Sequence, residues 1–149
     1  MKQTKDMSIR LTVSCIFLFA AVLLAADVSA FRWIRWYVEW RGMRPAMFAR
    51  LMAVFYAASV AGWFCLRALY RLLQGIREGQ VFCDESVANL RSISRCCAVA
   101  AAIFLAGGFF YAPLFIPAAA AAFMMLIVRV VENVFRQANE MKSELDLTI

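Results

Sequence analysis

The chain has 149 residues, 64% of them hydrophobic and 17% charged, with a mean hydropathy of +0.72. Soluble domains are about 45–50% apolar and about 25% charged, so the composition excludes a water-soluble globular protein and bounds the chain to one integral membrane domain. The formal charge of +6, from 16 Lys+Arg, would suit nucleic acid. The basic residues, however, sit at the ends of apolar runs, where they set topology and meet anionic lipid, and no direct nucleic acid binding is expected.

The first apolar run, LTVSCIFLFAAVLLAADVSA, covers residues 11–30 and is long enough to cross a hydrocarbon core of about 30 Å. Lys2, Lys5 and Arg10 ahead of it, with Val28-Ser29-Ala30 at its end, also fit a cleaved signal peptide. The run exceeds the usual apolar region of such a peptide, which favours a retained span. The following stretch, FRWIRWYVEWRGMRPA, reads as a basic outer loop. Trp33, Trp36, Tyr37 and Trp40 recur there at helical spacing, which predicts an amphipathic segment lying at headgroup level.

Further spans are predicted over about 47–73, 95–112 and 114–135, with a cytoplasmic connection over 74–94 and a tail over 136–149. Between the last two spans, Gly107, Gly108, Pro113 and Pro117 act as breakers of a tight hairpin. The termini and the middle connection carry eleven Lys and Arg. The opposite side carries five, at Arg32, Arg35, Arg41, Arg44 and Arg50. The apolar runs predict an all-α, four-helix transmembrane bundle, and the bias predicts both termini in the cytoplasm. Alanine and glycine at four-residue spacing (Ala57 with Ala61, Ala58 with Gly62, and Ala98, Ala102 and Ala106) suit a compact bundle or a dimer seam.

The middle connection reads RLLQGIREGQVFCDESVANLRSISRCC. Gly75 and Gly79 can end the second helix, and Cys83 or Asp84 can cap a third whose first turn carries Glu85. Gly79, Val81, Phe82, Val87, Leu90, Arg91 and Ile93, together with the closing Asp146, Leu147, Thr148 and Ile149, resemble the two cytoplasmic motifs of bacterial membrane proteins grouped as domain of unknown function 2975. The chain has Cys83 and Ser86 where that family tends to have threonine and asparagine. The resemblance implies four spans in the inner membrane of a bacterium, no assigned activity, and a possible partner among cytosolic helix-turn-helix regulators or other cytosolic proteins.

The tail is the second place where the residues suggest function. Asp146 can meet Arg77, Arg91 or Arg95 while Leu147 and Ile149 cover apolar surface near Phe82 and Leu90, which predicts a docked, releasable latch. Within the spans, Asp27 lies near the outer end of the first, close to Arg32 and Arg50. Glu132 sits between Arg129 at i−3 and Arg136 at i+4, a spacing that favours local pairing over a proton relay. Five cysteines and no histidine give no zinc or disulfide spacing, and a soft-metal site at Cys83, Cys96 and Cys97 is the weaker reading. No catalytic, cofactor or metal constellation is present. The leading expectation is a non-enzymatic regulatory or interaction protein, with a small transporter or permease-like subunit as the main alternative and an immunity-type membrane protein as a third; a homo-oligomer fits each.

Overall fold

The structure is a computed structural model that describes residues 2–79 and 83–148. It comprises α1 (Lys2–Trp40), α2 (Pro45–Arg77), α3 (Asp84–Gly108) and α4 (Phe115–Thr148), with one 3-10 turn over Ala112–Leu114 ahead of α4. All four helices contain stretches long and apolar enough to cross a membrane, which makes this a multi-pass membrane protein. Val81, Phe82 and Ile149 lie outside the described residues.

The predicted outer loop is not a loop. Nothing between Ala30 and Trp40 breaks a helix, and α1 continues through Trp33, Trp36, Tyr37 and Trp40 as one piece. The helical spacing of those rings is real, but they form the last turns of the spanning helix instead of a separate interfacial segment. Termination needs Gly42, whose φ of +60° is open to glycine. The Met43 N–H then reaches the Val38 carbonyl at 3.1 Å and the Gly42 N–H the Glu39 carbonyl at 3.1 Å, the double closure of a Schellman motif. Pro45, at the first position of α2, has no N–H to waste there.

At the far end of α2, Gly79 performs the same stop at φ +83°, while Gly75 stays inside the helix. The start of α3 matches its expected form. Cys83 is extended, Asp84 and Glu85 fill the first turn, and the Ser86 hydroxyl, 2% exposed, lies 3.3 Å from the Cys83 sulfur.

The hairpin between α3 and α4 is present, but its glycines do something other than break the helix. Gly107 and Gly108 are the last helical residues of α3 and are buried. A Cβ on Gly107 would lie 2.8 Å from Leu114 Cδ1 and 3.1 Å from Val54 Cγ2, and one on Gly108 would lie 2.8 Å from the Phe115 ring. They are glycine because the returning chain and α2 press against them. Tyr111, in the turn, shares a hydroxyl–hydroxyl hydrogen bond with Tyr37 of α1. That bond, with partial burial, pushes the Tyr111 phenol above the usual tyrosine range.

Helix packing runs only between consecutive helices among the described residues: α1 on α2, α2 on α3, α3 on α4. The four helices expected from the sequence are present, and they form an open row in which α1 and α4 do not meet among the described residues. Of the small-residue pairs, Gly62 does bring α1 close, with Leu23 Cδ2 3.5 Å from where its Cβ would be. Ala102 and Ala106 instead face outward.

The buried hydrophobic cluster marks one end of the row. It joins Ala68 and Leu72 of α2 to Leu90 and Ile93 of α3, with Val128 and Phe135 of α4 packed against them. Apolar side chains gain free energy by leaving water, and gain little by leaving lipid for protein. A compact apolar cluster at that end is what a membrane protein builds where its helices emerge into water, while Ala30, Val38, Ala61 and Ala118 are isolated buried positions elsewhere along the helices.

Candidate functional site

The uncharged stretches locate the membrane slab. They run over residues 51–66 of α2, 96–108 of α3 and 115–128 of α4, each roughly 20–24 Å long at helical rise. They are in register at the hairpin end, where Val54 and Leu114 both contact Gly107. They are in register at the other end too, where Arg67, Arg95 and Cys96 line one groove and Arg95 and Arg129 another. Long arginine stems can carry their charges outward from slightly short spans. The row thus crosses the slab and then continues as a three-helix, water-facing head.

That head is bounded by five arginines in two grooves that share Arg95. Between α2 and α3, Arg67, Arg71 and Arg95 surround a cavity of about 420 Å³, with Asn89 and Ser92 beside them, Phe64 and Ala68 as its apolar wall, and no acid. Between α3 and α4, Arg91, Arg95 and Arg129 line a second cavity of about 400 Å³ with Ser94, Asn133 and Glu132. Here Arg91 Nε donates to Glu132 Oε1 at 2.9 Å. The Glu132 side chain is 11% exposed and that of Arg91 49%.

This pairing corrects two expectations. Glu132 does not bond its neighbours Arg129 and Arg136 along α4, and Arg91 is held by Glu132 and not by Asp146. The 41-residue separation of the pair is invisible to any i+4 rule. It is set by the register in which α3 meets α4.

The tail also differs from the latch expectation. The Asn139 side-chain amide donates to Asp84 at 2.7 Å, the last tie between α4 and the α3 start. Beyond it, residues 140–148 are exposed on every side and remain helical. Leu145 is 66% exposed and Leu147 86%, Asp146 forms no ion pair among the described residues, and the Thr148 hydroxyl donates to the Glu144 carbonyl of its own helix at 2.9 Å. The helix projects roughly 13 Å past that tie.

Asp27 is placed differently as well. It neither meets Arg32 nor Arg50, whose guanidinium stacks on the Phe110 ring at 4.8 Å. It faces Ser59 and Trp63 of α2, whose Oγ and Nε1 donate to its two oxygens at 2.5 Å and 2.9 Å. Tyr56, on the same face, donates to its backbone carbonyl at 3.3 Å. Ser59 lies at the middle of the uncharged 51–66 stretch, so this acid sits at mid-slab level and not near the outer end. Neutral donors from one helix satisfy it.

The soft-metal trio does not form. Cys83, just ahead of α3, is thirteen residues from Cys96, roughly 20 Å; Cys97 instead meets Cys65 of α2, and no cluster of three His, Cys, Asp or Glu that could hold a metal exists among the described residues.

The model of a family of proteins of unknown function, DUF2975, matches residues 19–149. The chain belongs to the DUF2975 family. No curated protein and no solved structure matches it. In this DUF2975 chain the two motifs read from the sequence lie at the arginine-bounded end, Gly79 at the stop of α2, Leu90, Arg91 and Ile93 on α3, and Asp146 to Thr148 on the projecting helix. The motifs share an end of the molecule without touching among the described residues.

Proposed function

We propose that the protein is a non-enzymatic regulatory or interaction protein of a bacterial plasma membrane, with both termini and the three-helix head in the cytoplasm. The excess of arginine and lysine at that end supports the orientation. The observation that carries the functional reading is the last segment of α4. A helix projecting into water with Met141 60% and Leu145 66% exposed on one face has no use for those side chains in its own chain, whereas an apolar ridge at i, i+4 spacing is what a groove-bearing partner grips. The partner is a cytosolic protein, and the family resemblance makes a helix-turn-helix regulator the first to try. A transport reading would lean on Asp27, but both of its oxygens are engaged at the α1–α2 seam.

A photoreactive residue placed in living cells at Met141 or Leu145, and in parallel at Ser143 on the opposite face, tests the reading. Discrete adducts with one cytosolic protein are expected from the first two positions and several-fold weaker ones from Ser143. Adducts with lipid alone, or equal smears from all three positions, would remove the ground for an interaction helix.

A further inference from the structure

The α2–α3 groove suggests a ligand that is independent of the protein partner. Arg67 and Arg71 descend from α2 at i, i+4, and Arg95 comes from α3 to meet them around one cavity of about 420 Å³ with no carboxylate in its wall. By contrast, the neighbouring groove between α3 and α4 contains a carboxylate, and Arg91 there is held by Glu132. Arg67, Arg71 and Arg95 form no ion pair among the described residues. An orientation bias requires only that cations be present on one side, and it does not require three of them, from two helices, to converge on a recess.

The recess lies where the uncharged stretches end, which is headgroup depth, and its wall changes character with depth. Asn89 and Ser92 flank the guanidiniums on the water side, with the Ser92 hydroxyl already donating to the Ala88 carbonyl at 3.0 Å. Toward the slab the wall is Phe64, Ala68 and Cys96, and Phe64 is 61% exposed. A phosphate fits the first part, since planar guanidiniums match its oxygens in pairs. An acyl chain fits the second. We propose that this groove is a binding site for the phosphate headgroup of an anionic phospholipid, with its acyl chain lying along Phe64.

The test uses the full chain purified in mild detergent and native mass spectrometry with an equimolar mixture of phosphatidylglycerol and phosphatidylcholine of identical chains. Retention of phosphatidylglycerol is expected to exceed that of phosphatidylcholine by about tenfold, each arginine near a headgroup contributing to the preference. The preference should fall to about twofold or less in Arg67→Gln/Arg71→Gln/Arg95→Gln and partway in Arg71→Gln alone, which leaves most of the groove in place. It should persist in Arg41→Gln/Arg44→Gln at the other end of the molecule. Millimolar glycerol 3-phosphate should fail to displace the lipid. Equal retention of the two lipids, or a preference unchanged in both groove variants, overturns the site and leaves the arginines to topology or to an acidic protein segment. Displacement by glycerol 3-phosphate overturns the lipid in favour of a soluble phosphate ester.

Discussion

Replacing Glu132 with lysine is expected to be the most damaging single change at the water-facing head. The substitution removes the acceptor of Arg91 and sets a fourth cation beside Arg91, Arg95 and Arg129 in one cavity. Breaking a fully buried ion pair by removing one partner costs about 3–5 kcal/mol. Because the Arg91 side chain is half exposed, water recovers part of that cost, and about 2–3 kcal/mol is the expected loss. Thermal unfolding in detergent reads it as a drop of several degrees. Glu132→Gln, which still accepts a hydrogen bond, should lose less. The charge-swapped pair Arg91→Glu/Glu132→Arg should recover part of the stability lost by either single change, giving a coupling energy by double-mutant cycle. Additive effects of the two swaps would show that the contact is incidental.

Two opposing terms govern Asp27. A carboxylate at the centre of a span costs about 2.5–3.5 kcal/mol for insertion, so Asp27→Leu should insert at least as well as the native chain. What it loses is the attachment of α1 to α2, where Ser59 and Trp63 donate to the two carboxyl oxygens. Interhelical hydrogen bonds in membranes average about 0.6 kcal/mol each, so two of them amount to roughly 1 kcal/mol, or about a fivefold change in association. The measurement is disulfide formation between Leu23→Cys and Gly62→Cys, positions in contact across the seam. The yield should fall about fivefold in the Asp27→Leu background and fall little in Asp27→Asn, whose side-chain oxygen still accepts one bond. An unchanged yield with leucine would mean that Gly62 and its neighbours hold the seam without the acid.

The features that were legible in the sequence are those set within one helix or one turn. Apolar runs gave four spans, Gly79 with its positive φ gave the stop of α2, and the acidic first turn after Cys83 gave the start of α3. Interfacial aromatics are legible as a pattern but not as an element, because helical spacing of Trp33, Trp36 and Trp40 is equally compatible with a separate segment and with a continued α1. Only the lack of a breaker before Gly42 distinguishes the two.

The unreadable features depend on register between helices. Glu132 had two arginines within a turn of it and chose a third, 41 residues away in sequence, because α3 presents Arg91 to the buried face where Glu132 points. Asp27 had arginines nearby in the chain and met a serine and an indole instead. Gly107 and Gly108 looked like breakers, since nothing in the sequence says that Val54, Leu114 and Phe115 will press on them. The tail was misjudged for a related reason: charge complementarity between Asp146 and the arginines is readable, but the stiffness of an unbroken helix from Phe115 to Thr148 forbids the return that a latch needs.

The arginine-bounded head, with its projecting helix, is expected to face the cytoplasm. The most direct measurement is labelling by a membrane-impermeant maleimide in intact cells, in a background whose five native cysteines are replaced, with either Ser143→Cys on the projecting helix or Ala46→Cys beside the α1–α2 turn. Ala46→Cys is expected to react in intact cells and Ser143→Cys only after the membrane is opened. Reaction of Ser143→Cys in intact cells, with Ala46→Cys protected, would place the head outside the cell and overturn the cytoplasmic orientation.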